Sequence, residues 1–124
     1  MKKRIYYDDT DAGGIVYHAN YLKYCEQARS EIFFENGVYF ENEGYVVKEI
    51  NAKYIKPAKL GDIIEIKTEL KELKKASIIL IQTIFKENSK LFEMEISLVY
   101  MKNSKISKIP ENHLKIINEY FCQR

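Results

Sequence analysis

Residues 20 to 36 repeat apolar or small side chains at the spacing of one helical face, and much of the chain beyond residue 45 alternates with the period of a strand. Tyr21, Tyr24, Cys25, Ala28, Ile32 and Phe33 form an i, i+3, i+4, i+7, i+11 stripe, the signature of a helix that buries one side. Lys23, Gln27, Ser30 and Glu31 fill the rest of its surface. Asn20 is placed to cap the start, and Gly37 supplies the left-handed residue that ends many helices. At 1.5 Å per residue this helix is roughly 25 Å long, enough to cross several strands spaced about 4.8 Å apart.

A sheet is the natural partner for that stripe. Val46, Ile50, Ala52 and Tyr54 are expected on one face of a strand, and Ile64, Ile66, Thr68 and Leu70 on one face of another, opposite Glu65, Lys67, Glu69 and Lys71. Residues 77 to 85 are apolar on both faces, as a central strand requires. A further strand runs over 91 to 101 after the turn at Glu87-Asn88-Ser89-Lys90, and short connections such as Lys74-Lys75 predict hairpins in a meander. Residues 2 to 8 read as a short leading strand. Pro110 opens a short C-terminal helix carrying Leu114, Ile117 and Phe121 on one face. The expectation is one α+β domain over residues 1–124. A single sheet with one helix on it leaves a face or an edge needing a partner, which predicts homo-oligomerisation.

Composition narrows function mostly by exclusion. The chain has 124 residues with 20 Lys and Arg against 18 Asp and Glu, too balanced for broad attraction to nucleic acid or anionic lipid. No apolar run approaches the roughly 18 residues of a spanning helix, and the basic opening meets Asp8-Asp9 before any secretory apolar stretch. A cytoplasmic location is the expectation. Cys25 and Cys122 stand far apart and the two histidines lack ligand spacing, so free thiols and no metal are expected. Cys25 lies seven helical residues from His18, about 10 Å away and beyond proton-transfer reach, which makes it a packing residue. The serines sit in no nucleophile-elbow setting and the glycines form no phosphate-cradling pattern. His113, near the start of the last helix, reads as solvated.

One cluster remains: Thr10-Asp11-Ala12-Gly13-Gly14-Ile15-Val16-Tyr17-His18-Ala19-Asn20-Tyr21. A carboxylate, two glycines, an imidazole and a helix start within a dozen residues suit acyl transfer. Asp11 can serve as base or nucleophile, and main-chain N–H groups near His18 can face a carbonyl oxygen with the positive end of the helix dipole behind them. The plain structural alternative is an Asx turn at Asp11, a capping or interface role for His18, a core Tyr17, and a surface ion pair between Glu26 and Arg29.

Tyr7, Thr10-Asp11, Gly14, Val16-Tyr17-His18, Asn20-Tyr21, Glu26 and Ala28-Arg29, together with the block Tyr54-Ile55-Lys56-Pro57-Ala58-Lys59-Leu60-Gly61-Asp62, resemble the hotdog-fold acyl-CoA thioesterases of the 4-hydroxybenzoyl-CoA thioesterase group. The similarity runs nearly the length of the chain and is strongest to the Tol-Pal-associated (YbgC-type) subfamily. The resemblance implies a five-stranded antiparallel sheet wrapped around one long helix, dimers joined into a continuous sheet, and often tetramers. It also implies that Asp11 matches the catalytic carboxylate and that the main-chain N–H at His18 polarises the thioester carbonyl.

A thioester suits so small a kit, because its carbonyl has little resonance with sulfur and thiolate leaves readily. The His18 imidazole can orient Asp11, steer water or protonate the departing sulfur. Thr10, Gly14, Tyr17 and Glu26 are expected to support the site, Tyr21 and Tyr24 to line an acyl pocket, and Lys56 and Lys59 to hold coenzyme A phosphates, with other turn lysines (Lys74, Lys75 and Lys90) as further candidates. Coenzyme A is then part of the substrate and no separate cofactor is expected. Alternative readings are a scaffold that binds acyl carrier protein for phospholipid synthesis at the cell envelope, peripheral to the inner membrane, and a thioester dehydratase on the same fold.

Overall fold

The computed structural model describes residues 1–124. Strand β1 (Lys2–Arg4) leads through a 3₁₀ turn (Tyr7–Asp9) and a loop into helix α1 (Asn20–Phe34). Strands β2 (Glu43–Tyr54), β3 (Ile63–Leu73), β4 (Ser77–Lys86) and β5 (Ser89–Lys102) come next, then β6 (Lys105–Ile106), helix α2 (Glu111–Tyr120) and β7 (Cys122–Gln123). The main sheet has the order β1-β3-β4-β5-β2, antiparallel throughout. β6 extends it beside β5, and β7 adds a short parallel pairing on β3 through Glu69 and Cys122. This is the α+β hotdog arrangement of one sheet curled on one long helix.

The residues explain the layers. Ile64, Ile66, Thr68 and Leu70 are buried on the inner face of β3, as alternation predicts. β4 is the central strand, with Ile78, Leu80, Gln82 and Ile84 opposite Leu98, Ile96, Met94 and Phe92 of β5. Tyr24 and Cys25 of α1 are fully buried against this face. At roughly 25 cal/mol per Å² of apolar surface removed from water, this face is the main source of stability. Gly37, at φ 84°, ends the turn after α1 and donates its N–H to the Phe34 carbonyl.

Several local expectations change. The leading strand stops at Arg4, because Tyr7–Asp9 winds into the 3₁₀ turn. Asn20 does not cap α1: its Nδ2 donates to the Asp9 carbonyl at 2.9 Å instead, and Ala19 occupies the cap position. Pairing in β2 skips from Val47–Leu98 to Glu49–Ser97, so Lys48 is an extra residue in a bulge. The bulge reverses side-chain parity, which puts Tyr45, Val47, Ile50, Ala52 and Tyr54 on the inner face and turns Val46 outward.

The meander covers only β3 to β5. β2 pairs with β5 at the far edge, and residues 55 to 62 cross the end of the sheet to reach β3. β2 is therefore an edge strand, with Val46, Val47, Ile50 and Tyr54 all exposed. No helix is long and apolar enough to cross a membrane.

Candidate active site

The segment from Asp9 to Asn20 is held from both sides, and Asp9 is its anchor. Its carboxylate is buried, with Oδ1 accepting from the Tyr24 hydroxyl at 2.7 Å and Oδ2 from the Tyr6 N–H at 2.8 Å, while Lys3 lies 3.4 Å from Oδ2. Burial alone would raise its pKa, but these donors and the Lys3 charge outweigh it and hold the carboxyl below its ordinary range. Burial, joined by the same hydrogen bond, pushes the Tyr24 phenol upward. The Asp9 carbonyl accepts from Tyr17 N–H and Asn20 Nδ2.

The crossover secures the other side. Val16 donates to the Ala58 carbonyl at 2.9 Å and Leu60 to the Gly14 carbonyl at 3.2 Å, with a bridge between Ile15 and Lys59. Ala58 N–H in turn donates to the Tyr21 hydroxyl at 2.9 Å, and burial raises that phenol's pKa. Asp62 closes the crossover by accepting from Lys59 N–H and pairing with Lys86 at 2.9 Å; these contacts overcome burial and lower its pKa.

Within this frame Asp11 is exposed. Its Oδ1 accepts from Gly13 N–H at 2.8 Å in an Asx turn, and Oδ2 takes no hydrogen bond from the chain. Gly14 has φ 77°, a conformation that side-chain-bearing residues rarely adopt. Thr10 donates its hydroxyl to the Tyr7 carbonyl at 2.9 Å, closing the 3₁₀ turn. His18 is exposed, its ring 4.5 Å from that of Tyr17, and it offers its carbonyl to the Tyr54 hydroxyl at 3.0 Å. The main-chain N–H groups of His18 and Ala19 have no acceptor within the chain, so two donors stand open at the start of α1. Asp11, Gly14, Tyr17, His18 and Lys59 thus belong to one surface region beside the end of edge strand β2.

Other candidates lie elsewhere. Tyr21 and Tyr24 are core residues at 3% and 0% exposure, with hydroxyls engaged and rings enclosed, so neither lines an open acyl pocket in this chain. Tyr17 is an exposed ring, not a core residue. Glu26 is two turns down α1, exposed and accepting from Ser30 Oγ at 3.0 Å; it makes no ion pair with Arg29, which bonds Gln82 instead. Lys56 is exposed and meets Ser89 Oγ at 3.4 Å. Lys74 and Lys90 pair with Glu72 and Glu93.

His113 is buried, not solvated, with Nδ1 at 3.0 Å from the Tyr45 hydroxyl and Nε2 at 3.2 Å from Glu43, because the apolar face of α2 carries it under Phe33 and Phe40. The i+3/i+4 relation of His113 to Ile116 and Ile117 is the sequence signal for that burial. No group of His, Cys, Asp and Glu side chains is arranged to hold a metal. The largest cavity, about 650 Å³, lies between the C-terminal half of α1, β3 and Met1, away from Asp11.

Comparison with known proteins matches residues 6–117 to the model of the thioesterase-like superfamily. The acyl-CoA thioesterase YbgC of Helicobacter pylori is 56% identical over 77 residues, covering 60% of this chain. The acyl-CoA thioester hydrolase YbgC of Escherichia coli is 41% identical over 76 residues, or 57% of this chain. These matches span 58% and 57% of the relatives' own lengths. The crystal structure of a hypothetical protein from Aquifex aeolicus superposes with a TM-score of 0.87 at 29% identity, covering 94% of this chain and 96% of that one. The family model takes in the Asp11 loop, α1 and every long strand, and the chain belongs to the thioesterase-like superfamily.

Proposed function

We propose that the chain is an acyl-CoA thioesterase, hydrolysing the thioester to free acid and thiol with Asp11 as its reacting carboxylate. The observation that carries this reading is the pairing of a solvent-facing carboxylate, fixed on its loop by Gly13, with the two open N–H donors of His18 and Ala19. The names of the YbgC relatives and the thioesterase family support it.

In the proposed reaction the carbonyl oxygen of the thioester sits against the N–H groups at the head of α1. Negative charge that develops there is stabilised by the donors and the helix dipole. Asp11 either attacks the carbonyl carbon, displacing thiolate to give a mixed anhydride that water cleaves, or takes a proton from a water that attacks instead. The thiolate leaves and recovers a proton, for which the exposed His18 imidazole is within the same loop. Gly14 shapes the loop, Thr10 fastens its start, and Tyr17 backs the His18 ring. Lys59, beside Ile15, and Lys56 serve the coenzyme A phosphates, and no cofactor beyond the substrate takes part.

The site is completed by a second copy. β2 presents an unpaired edge with exposed Val46, Val47 and Ile50, and its last residue, Tyr54, touches His18. Pairing of β2 with β2 of another chain continues the sheet and walls the Asp11 loop, in a homodimer or a tetramer built from it.

The deciding experiment is thiol release from a panel of short, long and aromatic acyl-CoAs by the purified protein. Turnover of at least one class, absent from the Asp11→Asn variant, is expected. Unmeasurable rates across the panel would replace this reading with the acyl-carrier scaffold, and hydration of a crotonyl thioester would replace it with a dehydratase.

A further inference from the structure

Tyr54 is the last residue of β2 and pairs with Phe92 of β5. It is half exposed, yet its ring has fixed neighbours: Phe92 at 5.0 Å and Tyr21 at 5.5 Å between centroids, both buried and both met edge to face. Tyr21 is itself tied through its hydroxyl to Ala58 N–H. The phenol is thereby aimed at the head of α1, where its hydroxyl donates to the His18 carbonyl at 3.0 Å.

That bond acts on the donor side of the site. The open N–H groups of His18 and Ala19 belong to successive peptide units. The first, Tyr17–His18, is fixed by the main chain, because the Tyr17 carbonyl accepts from Asn20 N–H at 2.9 Å. The second, His18–Ala19, lacks such a tie: its carbonyl accepts from no main-chain N–H, and the Tyr54 hydroxyl is its partner. A peptide unit is planar, so fixing the direction of its C=O fixes that of the N–H opposite. A carbonyl that accepts a hydrogen bond also draws electron density from its own nitrogen, which makes the N–H a stronger donor. Burial raises the Tyr54 pKa from its ordinary 10.0, so the hydroxyl keeps its proton for this bond at neutral pH.

We propose that Tyr54 is a positioning residue for thioester hydrolysis: its hydroxyl aligns and polarises the His18–Ala19 peptide so that Ala19 N–H meets the charge developing on the carbonyl oxygen. This rests on the hydrolase reading above and adds to that site a residue 36 positions from His18. Such a contact strengthens as negative charge grows, so it acts on the transition state more than on bound substrate.

The test compares Tyr54→Phe with the unaltered full chain on whichever acyl-CoA of the panel is hydrolysed fastest. The phenyl ring keeps its neighbours Tyr21 and Phe92, so melting temperature and oligomer size are expected to stay the same. kcat should fall roughly tenfold, less than the factor of about 10²–10³ for removing an oxyanion donor outright, with KM within about twofold. In isotope-labelled protein followed by NMR, the His18 carbonyl carbon and the Ala19 nitrogen should both move upfield in the variant, while the Tyr17 carbonyl carbon, held by the main chain, stays in place. An unchanged kcat overturns the proposal, as does a rise in KM alone, which would make Tyr54 a substrate contact, or a rate loss that follows a change in oligomer size. Unmoved His18 and Ala19 resonances overturn it too. Absence of thiol release by the unaltered protein would refute the hydrolase reading and with it the effect on rate; the resonances then decide on their own whether Tyr54 sets that peptide.

Discussion

The hydroxyl of Tyr24 donates to Oδ1 of Asp9 across 2.7 Å, joining the N-terminal part of α1 to the turn that launches the Asp11 loop. This bond lies inside the core, where neither group has water as an alternative partner. Tyr24→Phe strands one oxygen of a buried carboxylate. The expected effect is a loss of about 1–3 kcal/mol in urea unfolding, with hydrolysis reduced because the loop loses its fixed start.

Asp11→Asn should separate chemistry from folding. The side chain is exposed and its one contact, with Gly13 N–H, survives in the amide. The melting temperature and oligomer size are expected to stay unchanged while hydrolysis falls by a factor of roughly 10² or more, as loss of a reacting carboxylate implies. His18→Ala should lower the rate less, because the main-chain donor remains. A fall equal to that of the Asp11 variant would assign an essential proton to the ring.

Stability should fall in two stages with acid. Burial holds His113 below its ordinary 6.5, against the pull of Glu43 at 3.2 Å and with Lys102 adding to the depression; Tyr45 caps its Nδ1. A histidine that protonates more readily when unfolded contributes stability fully above about pH 6.5, and that contribution is lost as pH falls below it. Asp9 and Asp62, both below the ordinary 3.8, lose theirs later, as pH falls through their folded values. Urea midpoints measured at pH 7.5 and 5.0 should differ in the natural protein, and the gap should shrink in His113→Gln.

Cys25 is fully buried and its thiol is pushed up to about 12 by that burial, whereas Cys122 is exposed. Iodoacetamide at pH 8 should add one alkyl group to the native protein, on Cys122, and two after denaturation, as read by intact mass.

Val47→Lys places a charge on the inner side of the β2 edge without removing a core contact, since Val47 is exposed in the single chain. Sedimentation should show a shift toward monomer, and hydrolysis should fall with it if a second copy walls the site.

The helix, the central position of β4 and the inner row Ile64, Ile66, Thr68 and Leu70 are legible in the sequence because each rests on a local period. Val46 escapes that logic because a bulge at Lys48 has no signature in alternation: one extra residue flips every side chain before it. The position of β2 at the far edge is hidden for a related reason, since a crossover and a hairpin loop look alike in sequence. Asp11, Gly14 and His18 can be singled out as a cluster, but Asp8 and Asp9 are indistinguishable by type, and only Tyr24, fifteen residues on, decides which one is buried. The Arg29–Gln82 bond joins residues 53 apart, a separation no local pattern spans.

The hydrogen bonds that tie Val16 to Ala58 and Leu60 to Gly14 make the loop proposed to be reactive a dependant of a stretch encoded some forty residues downstream. Pace and selectivity can therefore drift through changes at Pro57, Lys59 or Gly61 that leave every reacting group in place. A collection of variants in that strap, screened for altered substrate choice, would sample catalytic diversity that randomising the loop itself would destroy.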